Sequence, residues 1–482
     1  MFQVTVSVLL SVVFKFLAHP NFIFEDGLFF LAWFYYVPFL LVVHSLSLKK
    51  SAFFGFLYGF LSYFCVCFWL VRYSLFAALG VYLLFGFYWA VIFVLLAIVS
   101  KTRKYSFVFY CLIIFAAEFL FTKGYFGFGY GVSAYTQWKI PLFTRAVRYT
   151  KLWGLNFLII FFNCVFSACL GFYLRYRRWN FVQTGGAVFF AALFIQHVFI
   201  GFFLEEEKSG KVLKTVLVQN NADPDKYGIA QYKKEVECLK RLTDEALAAY
   251  PETELVVWPE TSVVVDVISA FIVSGRDGKE TERSKMAASL FDYINSKNCT
   301  FLVGTSFKNY NSAVVFEPVK PLTGTDRTLL PYWQVYKKNR LVPFSEDFPF
   351  KKVFTEYYEK NVLSGRYWLA GENVKLLKAG DVSLGTPICF EDTFSELPRK
   401  MALTGASLFV SLSNDAWSAS RACQMQHLAV SVFRSIENGI PMLRSANSGQ
   451  TCFVDCYGAV KKMSEPFAEN FLYCEVNLNR VK

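Results

Sequence analysis

The chain has 482 residues, 55% of them hydrophobic, 55 of them Phe and only 18% charged, more apolar material than one soluble core uses. A formal charge of +12 would point to nucleic acid in a soluble protein. Much of that charge falls in short loops between apolar runs, where it reads as a topology signal, so a nucleic-acid partner is set aside.

The apolar excess lies before residue 205. Runs at 2–18, 28–46, 52–71, 80–99, 105–121, 152–174 and 187–204 approach the roughly 20 residues that span a bilayer, which predicts about seven crossings. No basic stretch precedes the first run and no small-residue cleavage site follows it, so Met1–Ala18 reads as a retained anchor. Lys49 and Lys50, then Lys101, Arg103 and Lys104, then Arg175, Arg177 and Arg178 fall in alternate loops, which the positive-inside bias places in the cytoplasm. The loop with Glu25 and Asp26, and everything from Glu205 onward, is then expected outside; the basic external loop from Thr122 to Lys151 dissents from the pattern. Glu205–Lys208 is the only junction, so the second half is expected close to the membrane surface.

Residues 205–482 read as one α/β domain, because short apolar runs at 212–218, 254–258, 300–306, 383–390, 407–413 and 441–446 alternate with helical patterns. The clearest helix is predicted near 229–250. There Ile229, Tyr232, Val236, Leu239, Leu242 and Ala246 share one face, and Lys233, Lys234, Glu237, Lys240 and Arg241 are expected on the solvent side.

Five of the twelve cysteines (Cys65, Cys67, Cys111, Cys164, Cys169) fall in apolar segments and seven (Cys238, Cys299, Cys389, Cys423, Cys452, Cys456, Cys474) after them. An odd number leaves at least one unpaired within the chain. No metal site is expected, since His427 is the only histidine of the second half and the Cys452–Cys456 pair has no second close pair to complete four ligands. No cofactor is predicted.

Three strings carry the chemistry: WPE ending at Glu260, KKNRLVPFSE from Lys337 to Glu346, and TPICFED around Cys389. A thiol with an ordinary pKa of roughly 8.5 needs a base or a positive field to attack a carbonyl at neutral pH. Glu260 can take the proton and Lys338 can supply the field. As the carbonyl becomes tetrahedral its oxygen gains charge, which the Lys338 ammonium and the Phe390 amide are placed to stabilise. Between Pro343 and Trp368 the chain carries Phe344, Phe348, Phe350, Phe354, Tyr357, Tyr358 and Tyr367, an aromatic density that predicts a membrane-contacting lid or acyl groove.

The order Glu, Lys, Cys within these strings resembles the nitrilase superfamily, and with the preceding apolar segments the whole chain resembles the apolipoprotein N-acyltransferase family. LVQNN at 217–221, AEFL at 117–120, WGLNF at 153–157, SNDAW at 413–417 and PMLRSAN at 441–447 extend the likeness over nearly the full length. The resemblance implies a membrane-embedded helical bundle at 1–204 followed by an extracytoplasmic α-β-β-α nitrilase-like domain at 205–482. It implies a two-step reaction in which Cys389 takes an acyl chain from a phospholipid as a thioester and passes it to the N-terminal amine of a diacylglyceryl-cysteine lipoprotein. The implied setting is a bacterial inner membrane, crossed several times, with the catalytic domain on the periplasmic side. In this reading Glu260, Lys338 and Cys389 are catalytic, Glu346, Phe390 and Glu391 support them, and Tyr227, Trp258, Phe348 and Trp417 are candidates for substrate contact.

Departures from the family pattern fall around those contacts. Tyr227 stands where Trp is expected, Phe390 where Tyr is commoner, and Ser418 and Ala419 where Gly follows the SNDAW tryptophan. Glu118 has a family counterpart whose usual Arg is missing, leaving Lys123 as its expected partner. The run NFLYCEVNLNRVK offers no closing apolar segment, so the chain reads as a shortened homologue or a truncated one. A membrane-tethered amidase or nitrilase, a catalytically weakened homologue, and an idle scaffold or transporter remain the alternatives.

Overall fold

A computed structural model describes residues 1–102, 105–224, 227–320 and 328–481; Arg103 and Lys104 of the second basic loop lie outside the described residues. The chain divides into two compact units, Met1–Leu204 with Ser418–Phe433, and Glu205–Trp417 with Arg434–Lys482. The sixteen-residue segment Ser418–Phe433, which the sequence reading grouped with the second half, therefore belongs to the first unit.

The first unit is helical. Leu75–Val99, Val147–Tyr176 and Phe181–Phe202 are long and apolar enough to cross a membrane. Phe2–Ala18 and Ser106–Phe121, with 17 and 16 residues, reach only about 25 Å at about 1.5 Å per residue, short of a hydrocarbon core of about 30 Å. The predicted run at 28–46 is broken into a 3-10 turn at Phe29–Trp33 and a helix at Val37–Val43 that starts with Pro38 in its first turn, where the missing N–H costs nothing. The run at 52–71 divides into Leu48–Val66 and a single turn at Leu70–Tyr73.

Inside this unit Glu118 is fully buried and well supplied with donors. It accepts from Ser133 Oγ at 2.6 Å, Ser133 N at 3.0 Å, Asn156 Nδ2 at 2.9 Å and the Tyr36 hydroxyl. Lys123, its expected partner, instead lies over the Phe119 ring at 4.8 Å. The buried cation near this cluster is Lys15, whose Nζ is 5.3–5.7 Å from the ring centres of Tyr35, Tyr63 and Trp89.

The second unit is built on two six-stranded sheets. In chain order the strands are β1 (Val212–Gln219), β2 (Leu255–Val263), β3 (Thr300–Phe307), β4 (Tyr310–Glu317), β5 (Tyr332–Lys337), β6 (Leu377–Ala379), β7 (Val382–Gly385), β8 (Leu408–Ser413), β9 (Met442–Ala446), β10 (Cys452–Val454), β11 (Val460–Met463) and β12 (Asn470–Asn477). One sheet runs β12-β1-β2-β3-β4-β5, with β1, β2 and β3 parallel; the other runs β11-β10-β9-β8-β7-β6, with β7, β8 and β9 parallel. Ser445 on β9 donates its hydroxyl to Val218 O of β1 at 3.1 Å, tying one sheet to the other. The outer face of the first sheet is covered by the helices Ile229–Ala249 and Glu282–Asn295. Val236, Leu239, Leu242, Leu290 and Phe291 pack there on Val216, Val256 and Phe301.

The predicted amphipathic helix thus falls at Ile229–Ala249, with one revision. Lys240 is buried rather than solvated, and donates to Glu237 at 2.9 Å and to Ser289 of the neighbouring helix at 2.9 Å. A long apolar stem with a polar tip fits such an inter-helix position.

Candidate active site

The C-terminal ends of the central strands bring the charged residues together, as is usual where parallel strands feed loops. Glu260 lies where the β2–β3 pairing is interrupted between Trp258 and Val263, next to Thr261 at φ 47°. The irregularity needs a bare neighbour: a Cβ on Gly304 would sit 2.1 Å from Pro259 O and 2.7 Å from Glu260 Cα. Lys338 follows β5 directly, and its backbone is held by Lys338 N→Asn311 O at 2.8 Å and Gly371 N→Lys338 O at 2.7 Å.

Lys338 Nζ donates to Glu260 Oε1 at 3.0 Å and to Glu346 Oε1 at 2.8 Å. Asn311 Nδ2 donates to the same two oxygens, at 2.8 Å and 3.1 Å. The Glu346 Oε2 accepts from Val342 N at 2.9 Å. The lysine is wholly buried and the glutamate 260 nearly so, and an ion pair kept from water needs its remaining lone pairs filled in this way. Burial opposes the Lys338 charge, but Glu260, Glu346 and Cys389 outweigh it and push its pKa well up. Burial raises the Glu260 pKa, Lys338 lowers it and Glu346 raises it again, the net direction being upward.

Cys389 opens a 3-10 turn, Cys389–Thr393, separated from the end of β7 at Gly385 by the three residues Thr386–Ile388. Its φ of 49° is the left-handed region that a non-glycine residue rarely takes without a constraint. The predicted strand over 383–390 therefore stops short, and the nucleophile candidate sits on the turn. Burial raises its pKa well above the ordinary thiol range, Glu260 raises it further and Lys338 opposes. The turn's first bond is Glu391 N→Ile388 O at 3.1 Å, so the Phe390 amide precedes the hydrogen-bonded part of the turn. The Phe390 ring itself is buried against Phe394.

Glu391 is a staple. It accepts from Tyr336 OH at 3.0 Å, Asn339 N at 2.6 Å, Arg340 N at 3.1 Å and Ile388 N at 2.8 Å. One buried side chain thereby fixes the Lys338 loop to the Cys389 turn, and burial pushes its pKa up to about 7. A second staple is Arg444 at the centre of β9, fully buried, which donates to Asp392 at 2.7 Å, Asp415 at 2.9 Å and Ser413 at 2.9 Å. A carboxylate oxygen of Asp415 lies within 4.8 Å of the Cys389 sulfur.

Glu260, Lys338, Glu346 and Asn311 thus form one hydrogen-bonded cluster, Cys389 lies within its field, and Phe390 and Glu391 belong to the Cys389 turn. The other four predicted residues are elsewhere. Trp258 has no exposed surface, donates to Thr243 Oγ1 at 3.0 Å and packs on Phe301; it anchors β2 in the core instead of lining a substrate path. Tyr227 is 81% exposed ahead of the Ile229–Ala249 helix. Trp417 is half-buried in a short turn at Ala416–Ser418. Phe348 is half-buried at the hub of an aromatic cluster with Phe350, Phe354, Tyr357 and Tyr367 at 5.3–6.2 Å.

Asn311 is not singled out by the sequence, and Asp392, Asp415 and Arg444 enter it only within the TPICFED, SNDAW and PMLRSAN strings, with no role of their own. A polar residue inside an apolar strand run was the available signal for Asn311 and Arg444, since a buried amide or guanidinium there requires partners.

The chain is similar over residues 217–482 to the family described as carbon-nitrogen hydrolase, and over 13–165 to the family described as apolipoprotein N-acyltransferase N-terminal domain. It is 33% identical to apolipoprotein N-acyltransferase 1 of Treponema denticola, covering 96% of this chain and 88% of that one. It is 32% identical to apolipoprotein N-acyltransferase 1 of Treponema pallidum, over 76% of this chain and 70% of that one. Among solved structures, the carbon-nitrogen hydrolase from Helicobacter pylori aligns with 55% of this chain and 89% of its own at 20% identity and a TM-score of 0.39.

Proposed function

Since the chain belongs to the apolipoprotein N-acyltransferase family, we propose that it moves an acyl chain from a phospholipid to the N-terminal amine of a diacylglyceryl-cysteine lipoprotein, through a thioester on Cys389. The observation that carries this reading is the buried Glu260–Lys338–Glu346 cluster, placed within electrostatic reach of a cysteine on a left-handed turn.

In the resting enzyme the shifts keep Cys389 as a thiol and bring Glu260 nearer the range of a useful base. On arrival of the donor ester, Glu260 takes the thiol proton as sulfur attacks the carbonyl carbon, and the charge that gathers on the carbonyl oxygen meets the Lys338 ammonium and the Phe390 N–H. The ester C–O bond then breaks, and the departing lysophospholipid alkoxide receives the proton from Glu260. In the second half the lipoprotein amine attacks the thioester carbonyl, Glu260 accepts an amine proton, and the Cys389 thiolate leaves and is reprotonated. Covalent relay divides one hard transfer into two easier ones.

Both substrates are lipid-anchored, and keeping acyl chains out of water spares about 0.8 kcal/mol for each CH₂. The helical domain is expected to hold the reaction at a bacterial inner membrane through several crossings, with the catalytic domain on the periplasmic side. The aromatic segment between Pro343 and Trp368, in which Trp368 N donates to Glu346 O at 2.9 Å, is the candidate lid.

Intact-mass measurement after incubation with phospholipid tests the proposal. The native chain is expected to gain one acyl mass that Cys389→Ser does not, and a diacylated lipopeptide is expected to discharge it. Discharge by water alone would make the protein a hydrolase, and no adduct would overturn the thioester.

A further inference from the structure

Within the first unit a cavity of about 800 Å³ is lined by Phe22, Glu25, Phe68, Trp69, Arg72 and Arg421, among others. Its walls are fixed by buried amides. Asn21 Oδ1 accepts from Ile23 N at 2.8 Å and Phe24 N at 2.9 Å, shaping the loop that carries Phe22 and Glu25. Gln426 Nε2 donates to Pro20 O at 2.8 Å and Val66 O at 2.9 Å, and Trp69 Nε1 donates to Gln426 Oε1 at 3.2 Å. One glutamine therefore binds the Pro20 loop, the end of the Leu48–Val66 helix and the Trp69 wall into a single frame.

The lining joins opposite chemistries. Phe22 packs edge-on against Phe68 at 5.3 Å, while Arg72 and Arg421 both line the same space. Arg421 pairs with Glu25 at 3.2 Å, yet both side chains are about half exposed, 52% and 45%, and such a pair is weak enough to exchange partners. Beyond Arg72 the surface turns apolar: Val71, Tyr73, Leu75 and Phe76 are exposed, and Leu75 opens one of the membrane-length helices. Two fork-shaped cations beside an aromatic wall, bordered by an exposed apolar helix, suit an anionic group with hydrocarbon attached.

We propose that this cavity holds the phosphodiester of the phospholipid donor, with Arg72 and Arg421 on its non-bridging oxygens and the acyl chains along the exposed start of the Leu75–Val99 helix. The assignment rests on the donor chemistry proposed above and adds the part of the chain that recognises it.

The test compares two donors bearing the same acyl group, a diacyl phospholipid and a p-nitrophenyl ester that has no phosphate, with full-length protein in mixed micelles. Arg72→Gln and Arg421→Gln are each expected to lower the ratio of kcat/KM for phospholipid to kcat/KM for the ester about tenfold or more, mainly through KM, as loss of a charged hydrogen bond predicts. Arg72→Lys, which keeps the charge without the fork, is expected to fall between. An unchanged ratio, whether both donors slow alike or neither does, overturns the cavity assignment while leaving the thioester reaction standing. Wild-type protein that takes acyl groups from the ester but never from phospholipid overturns the donor reading itself, and the cavity assignment with it. Melting temperatures within a few degrees of wild type separate recognition from misfolding.

Discussion

Glu260 shares its charge environment with three neighbours, and in the proposed reaction the balance among them sets what Cys389 can do. Two carboxylates and one ammonium leave a net negative cluster beside a thiol whose pKa burial already raises. Asn311 is the neutral member that lets Glu260 and Glu346 lie this close, donating to both. Its removal leaves each buried oxygen short of a donor, a loss of about 1–3 kcal/mol or about tenfold to a hundredfold in rate. Asn311→Ala is accordingly expected to reduce kcat of acyl transfer by that factor with KM little changed and to move the acidic limb of the pH–rate profile upward, since a Glu260 with fewer donors holds its proton more tightly. An acidic limb that stays in place would assign Asn311 to fold maintenance alone.

At the scale of elements, legibility followed periodicity. The strands near 212–218, 300–306, 407–413 and 441–446 fall within a residue or so of where apolar runs placed them, because a core strand advertises itself by composition. Cys389 and Glu260 could be singled out from the strings around them, but their backbone settings could not: the interrupted β2–β3 pairing needs Gly304, and the Cys389 turn is tied through Glu391 to Tyr336, Asn339 and Arg340, all far along the chain. Asn311 and Arg444 stayed hidden for the same reason, since what makes each one matter is a contact and not a neighbour in sequence. Trp258 shows the converse: an aromatic within the WPE string suggested a substrate contact, and its place on the helix-facing side of β2 put it in the core. The proposed lid is the element most open to test. Phe348→Ser with Phe350→Ser strips the hub of the aromatic cluster, and is expected to lower transfer from bilayer-embedded phospholipid at least tenfold while sparing a short-chain soluble ester, measured as initial rates on both. Equal rates from the bilayer donor would reduce the segment to local packing.

For the whole molecule, the apolar first half was readable from composition, whereas the division into units was not. Ser418–Phe433 follows β8 in a stretch that reads like any other helix of the second half, yet it clusters with the first unit, where Gln426 bonds to Trp69 and the Phe433 ring meets Tyr135 at 5.2 Å. Leu428, Val432 and Phe433 are fully buried. A fragment beginning at Glu205 would expose that apolar face to water, at about 25 cal/mol for each Å². It is expected to aggregate on expression, read by size-exclusion chromatography, where the full chain in detergent elutes as a single species; a monodisperse soluble fragment would show that the segment finds its cover elsewhere. The same feature limits how such proteins can be recombined. A gene fusion that grafts a foreign catalytic half at the Leu204–Glu205 boundary imports sixteen residues whose fit was shaped by another chain's helices, so viable chimeras should need two crossovers, the second enclosing 418–433, and inheritance of the two halves should be linked.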